Sequence, residues 1–397
     1  SHYPIFGSGV ETFAFAYYKF RPSEHNMTSE WDFLYNKAHN EYLNFAATTG
    51  VFGIGSYLFF ILLFILWSIK CIMYNVSSIK YGKNIPDFYY LVLNTGLFSA
   101  WLSILITNFF GFSVVIVQLF FFLIPAASFV LSRDITYVFF FSSQKNPNYS
   151  NSAIKQRFNI LKSNNQFKVN NYQLFSIIII LFVVCFLLFV IGRLWYADTF
   201  FASGNYSSRS SDYLSAYKSF KRAIELNSRE PLYYDELAVP AAQLSVAFNE
   251  EKQATYSALL REEALLASGV ALTICPNNIN FWKTRTRMLY TLAQMDEKYL
   301  TEALTSLQQA KILAPTDPKI SYNLGLLLDK VGKSKEAVEE LTETTRLKPD
   351  YRDAYFALGL FFQRDKKIEK AKEVFNFILT RIATDDAETK KILEDIK

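Results

Sequence analysis

The sequence is poor in the residues that build metal centres and cross-links. Its 397 residues include three His (His2, His25, His39) and three Cys (Cys71, Cys185, Cys275). A multi-histidine metal centre is not expected, and the Cys positions form neither a disulfide framework nor a CxxC pair. Two of the thiols sit in apolar runs, where Cys behaves as a small hydrophobe, so the redox compartment stays open. No Walker A, HExxH, GxSxG or DxD-like segment occurs, and neither a metal nor another cofactor is expected. Clustered basic residues are also missing. The 41 Lys and Arg against 36 Asp and Glu are spread along the chain, which argues against nucleic acid as a partner. The start has no basic stretch followed by a short apolar one, so no signal peptide is expected. Beginning at Ser1, in a polar loop ahead of an apolar run, the chain reads as the back half of a larger protein.

What is present divides into two populations behind the 51% hydrophobic average: long apolar runs in residues 1–200, and an ordinary charged segment in 203–397. Val51–Met73, Phe88–Phe109, Phe112–Leu131 and Leu174–Tyr196 are each long enough to cross roughly 30 Å of hydrocarbon. The second and third are separated only by Phe110-Gly111, a tight helical hairpin. Asn94, Thr107, Asn108 and Gln118 interrupt the apolarity and point to a bundle interior. Connections 70–87 and 132–172 carry the excess of Lys and Arg, which places them on the cytoplasmic side. The His39 loop, the Phe110 turn and everything after Tyr196 are then extracytoplasmic. The Ser- and Asn-rich 132–172 linker is expected to be mobile.

Residues 318–351 and 352–385 superpose at a shift of 34, placing Leu324 on Leu358, Gly325 on Gly359, Ala337 on Ala371 and Leu341 on Phe375. Small residues where two helices cross and large ones between them are the pattern of the tetratricopeptide repeat. A weaker unit fits 284–317, with further traces around Ala216, Phe220 and Ala223 and around Ala264, Ala271 and Pro276. The expected fold class is all-α: a transmembrane helix bundle followed by a helical solenoid that offers a surface to a protein partner. Its boundaries are loop 1–50, three transmembrane helices in 51–131, linker 132–172, a fourth transmembrane helix in 173–197 and the repeats in 198–397.

His39 is the leading chemical candidate, because an imidazole accepts a proton near neutral pH. The bland reading is an interfacial ring that bonds a neighbouring helix. The surrounding stretch, 33–49, reads as a helix on which Leu43 fastens to the bundle, and Asn40 orients the His39 ring, meets polar substrate or is interfacial packing. Tyr42 reads as interfacial packing. Arg21 could fork onto phosphate oxygens or onto lipid headgroups. Gly7-Ser8-Gly9 is either a plain turn or a set of amides open to an anion, and Glu11 is expected in the first turn of the helix that follows. His25 and Lys19 read as solvated loop.

Together GSGVETFAFAY, Arg21 and AHNEYLNFAATTGVFGIGSYL resemble the O-antigen ligase family, which is related to O-antigen polymerases and bacterial O-oligosaccharyltransferases. The matching features are Gly7, Gly9 and Phe13, then His39, Asn40 and Leu43, then Gly50 and Gly53. They lie within residues 5–58, and the repeat tail is compatible. The resemblance implies a multi-pass protein of the bacterial cytoplasmic membrane, with 1–50 as the end of its large extracytoplasmic loop. It also implies glycan transfer from undecaprenyl diphosphate to an acceptor hydroxyl on a lipid or protein, in envelope polysaccharide or glycoprotein assembly, without metal. By that match His39 is the catalytic residue, serving as base or orienting the acceptor, while Arg21, Asn40, Gly7 and Gly9 bind or shape the substrate site. This chain by itself is then expected to be inactive, since other diphosphate ligands would lie in the missing helices. The alternative is a non-enzymatic, membrane-anchored repeat scaffold for envelope assembly.

Overall fold

The computed structural model describes residues 3–33, 35–80, 86–131 and 171–396, and every regular element among them is helical. They form two compact units, within Ser1–Ala16 plus Leu34–Leu174 and within Tyr17–Phe33 plus Phe175–Lys397. The short helix α1 (Phe13–Phe20) leads from the first into the second.

In the first unit α2 (Glu41–Lys80) packs beside α3 (Pro86–Phe110), which is followed by α4 (Val115–Leu131). Tyr57, Ile61 and Phe64 recur at helical spacing and bury one face of α2 against Trp101 and Phe121. Other apolar residues of α2, among them Phe59, Leu62 and Leu66, are exposed. Pro125 lies inside α4 and supplies no amide to the Phe121 carbonyl one turn back. The Trp101 indole fills that vacancy, donating to Phe121 O at 2.8 Å. One proline thus explains why a buried indole on α3 finds a partner.

Among the described residues three helices are long and apolar enough to cross a membrane: Glu41–Lys80, Phe88–Phe110 and Leu174–Arg209. The segment expected to span over Phe112–Leu131 forms a shorter apolar helix among the described residues, Val115–Leu131, of 17 residues. Asn94 and Asn108 are buried as expected, whereas Thr107 is exposed and bonds back to the Ile104 carbonyl. Most of the linker expected over 132–172 lies outside the described residues.

In the second unit α5 (Asn171–Arg209) carries the last apolar run and continues well past Tyr196 without a break. Its final turns pair with α6 (Tyr213–Leu226), and helices follow in antiparallel succession. These are α7 (Pro231–Glu250), α8 (Ala254–Ile274), α9 (Ile279–Leu292), α10 (Lys298–Leu313), α11 (Pro318–Lys330), α12 (Ser334–Leu347), α13 (Arg352–Arg364), α14 (Ile368–Phe377) and α15 (Ala387–Asp395).

The repeat geometry is carried by close glycine contacts. A Cβ on Gly325 would lie 2.8 Å from the Leu341 side chain, and one on Gly359 would lie 2.6 Å from the Phe375 ring. The same spacing recurs at Gly204, 2.7 Å from the Phe220 ring. Ala216, Ala337 and Ala371 are each 0% exposed, as are Phe220, Leu341 and Phe375. The end of α5 is therefore the first helix of a repeat that α6 completes. The unit expected over 284–317 begins earlier, at Ile279, because both of its helices and the loop joining them are longer than those of α11 and α12.

Candidate functional site

In the first unit the site is organised around a break in α2. Gly50 has φ 65° and ψ −163°, outside the helical region. That removes the bonds a helix would form from the Val51 and Phe52 amides to the Ala47 and Thr48 carbonyls. The Gly7–Gly9 loop replaces them from both sides. Val51 N donates to Pro4 O at 2.9 Å and Phe52 N to Ile5 O at 3.3 Å, while Ser8 N donates to Ala47 O at 3.0 Å and Gly9 N to Thr48 O at 2.9 Å. A Cβ on Gly7 would lie 2.2 Å from Thr48 C, and one on Gly50 2.4 Å from Ile5 O, so both positions require glycine.

The Gly7, Ser8 and Gly9 amides thus all donate within the chain, Gly7 N to Tyr3 O at 3.1 Å. Of the two readings of Gly7-Ser8-Gly9, a plain turn or amides open to an anion, these bonds fit the turn. Glu11 is not in the first turn of α1; it precedes the helix with φ 57° and pairs with Lys37 at 2.9 Å.

His39 and Asn40 do not lie within a helix, as the 33–49 expectation had them; they end the loop at the start of α2. Asn40 acts as the N-cap, its Oδ1 accepting from Leu43 N at 2.9 Å. Its Nδ2 donates to Phe109 O at 2.8 Å, in the last turn of α3. Beside it Glu41 is buried, its amide donating to Gly111 O at 3.0 Å and its Oε2 accepting from Ser113 N at 3.1 Å. The α3–α4 turn is thereby stitched to the amino end of α2.

His39 is exposed above this stitch, with Tyr35 and Phe112 presenting rings edge-on at 6.1 and 5.7 Å. It makes no hydrogen bond among the described residues. Tyr42 does pack, its hydroxyl donating to Leu105 O at 3.0 Å. Leu43 is 63% exposed and fastens nothing here. What the arrangement can do chemically is present an accessible imidazole on a braced loop.

Arg21 is in the other unit and is 5% exposed. Its Nη2 donates to Asn26 Oδ1 and, at 2.7 Å, to Trp31 O. His25 is buried as well, against the expectation of a solvated loop, and desolvation followed by the Arg21 charge lowers its pKa. Sequence reasoning gave no role to Asn26, Trp31 or Lys348, which join this segment to the repeats. Asn26 Nδ2 donates to Thr316 O and Leu347 O, both at 3.0 Å. Such bonds to backbone carbonyls leave no signature in the partner's sequence. No group of three or more His, Cys, Asp or Glu suited to a metal occurs among the described residues.

Residues 318–351 match the family model of the tetratricopeptide repeat. Human tetratricopeptide repeat protein 7A is 31% identical over 90 residues, 23% of this chain and 10% of that protein, so the chain spans about a tenth of the length of the curated relative it matches. Among solved structures, TTC0263, a thermophilic TPR protein of Thermus thermophilus, is 17% identical over 50% of this chain and 98% of its own, with a TM-score of 0.36. PilF of Pseudomonas aeruginosa is 18% identical over 51% and 87%, with a TM-score of 0.38. YrrB, described as a TPR protein with an unusual peptide-binding site, is 19% identical over 49% and 90%, with a TM-score of 0.36. Residues 318–351 thus match one tetratricopeptide repeat, and the glycine contact of that unit recurs at Gly204 and Gly359 in the carboxy-terminal helices.

Proposed function

We propose that the chain is a membrane-anchored tetratricopeptide scaffold that holds a protein partner close to the membrane surface. One observation carries this reading: α5 runs from the apolar stretch into the first repeat as one helix, and Gly204 on it packs against Phe220. A continuous helix transmits position and orientation, whereas a flexible linker would let the array wander. Arrays of this kind work as binding surfaces and are not themselves catalytic.

The second reading is the ligase or O-oligosaccharyltransferase chemistry, with His39 activating an acceptor hydroxyl and undecaprenyl diphosphate as leaving group. The exposed His39 ring on its stitched loop favours it, since a positioned base is what such a transfer needs. In this arrangement Arg21 is closed off against Asn26 and Trp31, so other cations would have to meet the diphosphate. Both readings place 1–50 and the repeats on the extracytoplasmic face.

Complementation separates the two. In a cell lacking the full-length gene, the scaffold reading expects His39→Ala to restore function and removal of residues 318–385 to abolish it. Build-up of unattached lipid-linked glycan with His39→Ala would reject the scaffold and establish the transferase.

A further inference from the structure

Asn26 is a loop residue, yet it is 0% exposed. Its Nδ2 reaches two backbone carbonyls of the array, its Oδ1 accepts from Arg21, and its own carbonyl accepts from Lys348 Nζ at 3.0 Å. Leu347 ends α12, so its carbonyl is one that the helix cannot satisfy. Five positions on, the Trp31 ring lies 4.5 Å from Lys348 Nζ, 5.2 Å from Lys319 Nζ and 5.6 Å from the Tyr351 ring. Asp32 pairs with Lys319, and Thr316 Oγ1 donates to Arg21 O at 2.9 Å. Every partner lies in or beside the turns that join α10 to α11 and α12 to α13, the junctions between successive repeats.

We propose that these two turns form a peptide-recognition site whose ligand is this chain's own segment Arg21–Asp32. The site reads a carboxamide at position 26, an indole at 31 and a carboxylate at 32. Each feature has a matching element: paired carbonyls for the amide, a slot of two ammonium groups and a phenol ring for the indole, and Lys319 for the acid. Cation–π contacts of this kind strengthen when desolvated, and Lys348 is buried. The segment is tethered at both ends, so it faces the site at an effective concentration on the order of millimolar. A protein partner of the scaffold therefore engages another part of the array or must displace the strap. This inference rests on contacts within the array and is independent of which chemistry the chain serves.

A fluorescent peptide of residues 17–33 tests it on the full chain in detergent. The Asn26→Ala, Trp31→Ala double variant, with its strap weakened, is expected to bind the peptide at least ~10-fold more tightly than the unaltered chain, which is occupied in cis. A peptide carrying Asn26→Ala is expected to lose about 10-fold in affinity for that variant. Equal binding by both chains, or indifference to the peptide substitution, overturns the proposal. If the double variant does not fold, hydrogen exchange on Lys348→Gln decides. The Thr28 and Trp31 amides should exchange about 10-fold faster while Leu324–Leu328 stay slow, and unchanged exchange overturns the assignment.

Discussion

Gly204, near the end of the long apolar helix, lies against the ring of Phe220, and a Cβ there would be 2.7 Å from the nearest ring carbon. Gly325 and Gly359 make the same approach to Leu341 and Phe375 inside the repeats, and this identity of contact makes α5 part of the array.

Gly204→Val is expected to destabilise the array by about 1–3 kcal/mol through overpacking, even though leaving glycine gains up to about 1 kcal/mol of helix propensity. Urea unfolding of the full chain in detergent, followed by fluorescence, measures it. Stability equal to or above that of the parent would show that the Gly204–Phe220 contact does not join α5 to the repeats.

The break at Gly50 makes a separate demand. Gly50→Ala places a side chain at positive φ against the Ile5 carbonyl and should cost about 1–3 kcal/mol in backbone strain. Gly55→Ala, in the same helix with no atom within 4 Å, should instead gain up to about 1 kcal/mol of helix propensity. Hydrogen exchange at Ser8, Gly9, Val51 and Phe52 reads the difference, and equal protection in both variants would refute the interlocked loop.

Asp235 is 2% exposed, and burial raises its pKa to about 7, opposed by a hydrogen bond to Thr284. A carboxyl whose folded pKa is raised takes up a proton on folding. Its neutral form therefore favours stability below the usual carboxylate pKa, and that advantage is lost as pH rises from about 4 to about 7. Asp235→Asn should flatten this slope and raise stability at pH 8 by about 1–3 kcal/mol. An unchanged pH profile would mean that Asp235 does not titrate within the fold.

Asp386 behaves in the opposite sense. Arg352 grips both carboxylate oxygens at 2.6 and 3.0 Å, and Thr389 N donates at 2.9 Å where Asp386 caps α15. The Arg352 bond, ahead of the burial that opposes it, holds its pKa well below the usual carboxylate range. Its stabilising contribution is present above about pH 4 and fades below it. Asp386→Ala should release α15 at neutral pH, at a cost of about 1–2 kcal/mol. Faster exchange at Ile392 and Leu393 with α11 unchanged is the expected reading, and a uniform response across the array would contradict it.

Helicity, the apolar runs and the repeat unit 318–351 were legible in the sequence. Each is written in a local period: apolar residues at helical spacing, or Gly325 and Leu341 recurring as Gly359 and Phe375. Residues 132–170 fall outside what the structure describes. His39 was legible as a candidate because an imidazole beside an apolar run stands out by chemistry alone. The role of Asn40 was not: a helix cap depends on where the helix starts, and the apparent helix over 33–49 concealed that start.

Tertiary structure decided the rest through backbone groups, which carry no residue-specific signal. Only folding shows that the amides of Ser8 and Gly9 fill the gap opened by Gly50, or that Asn26 finds the carbonyls of Thr316 and Leu347. Arg21 shows the consequence most plainly. The sequence offers a guanidinium suited to phosphate; the fold buries it against Asn26 and Trp31, because a hidden amide and carbonyl needed a donor.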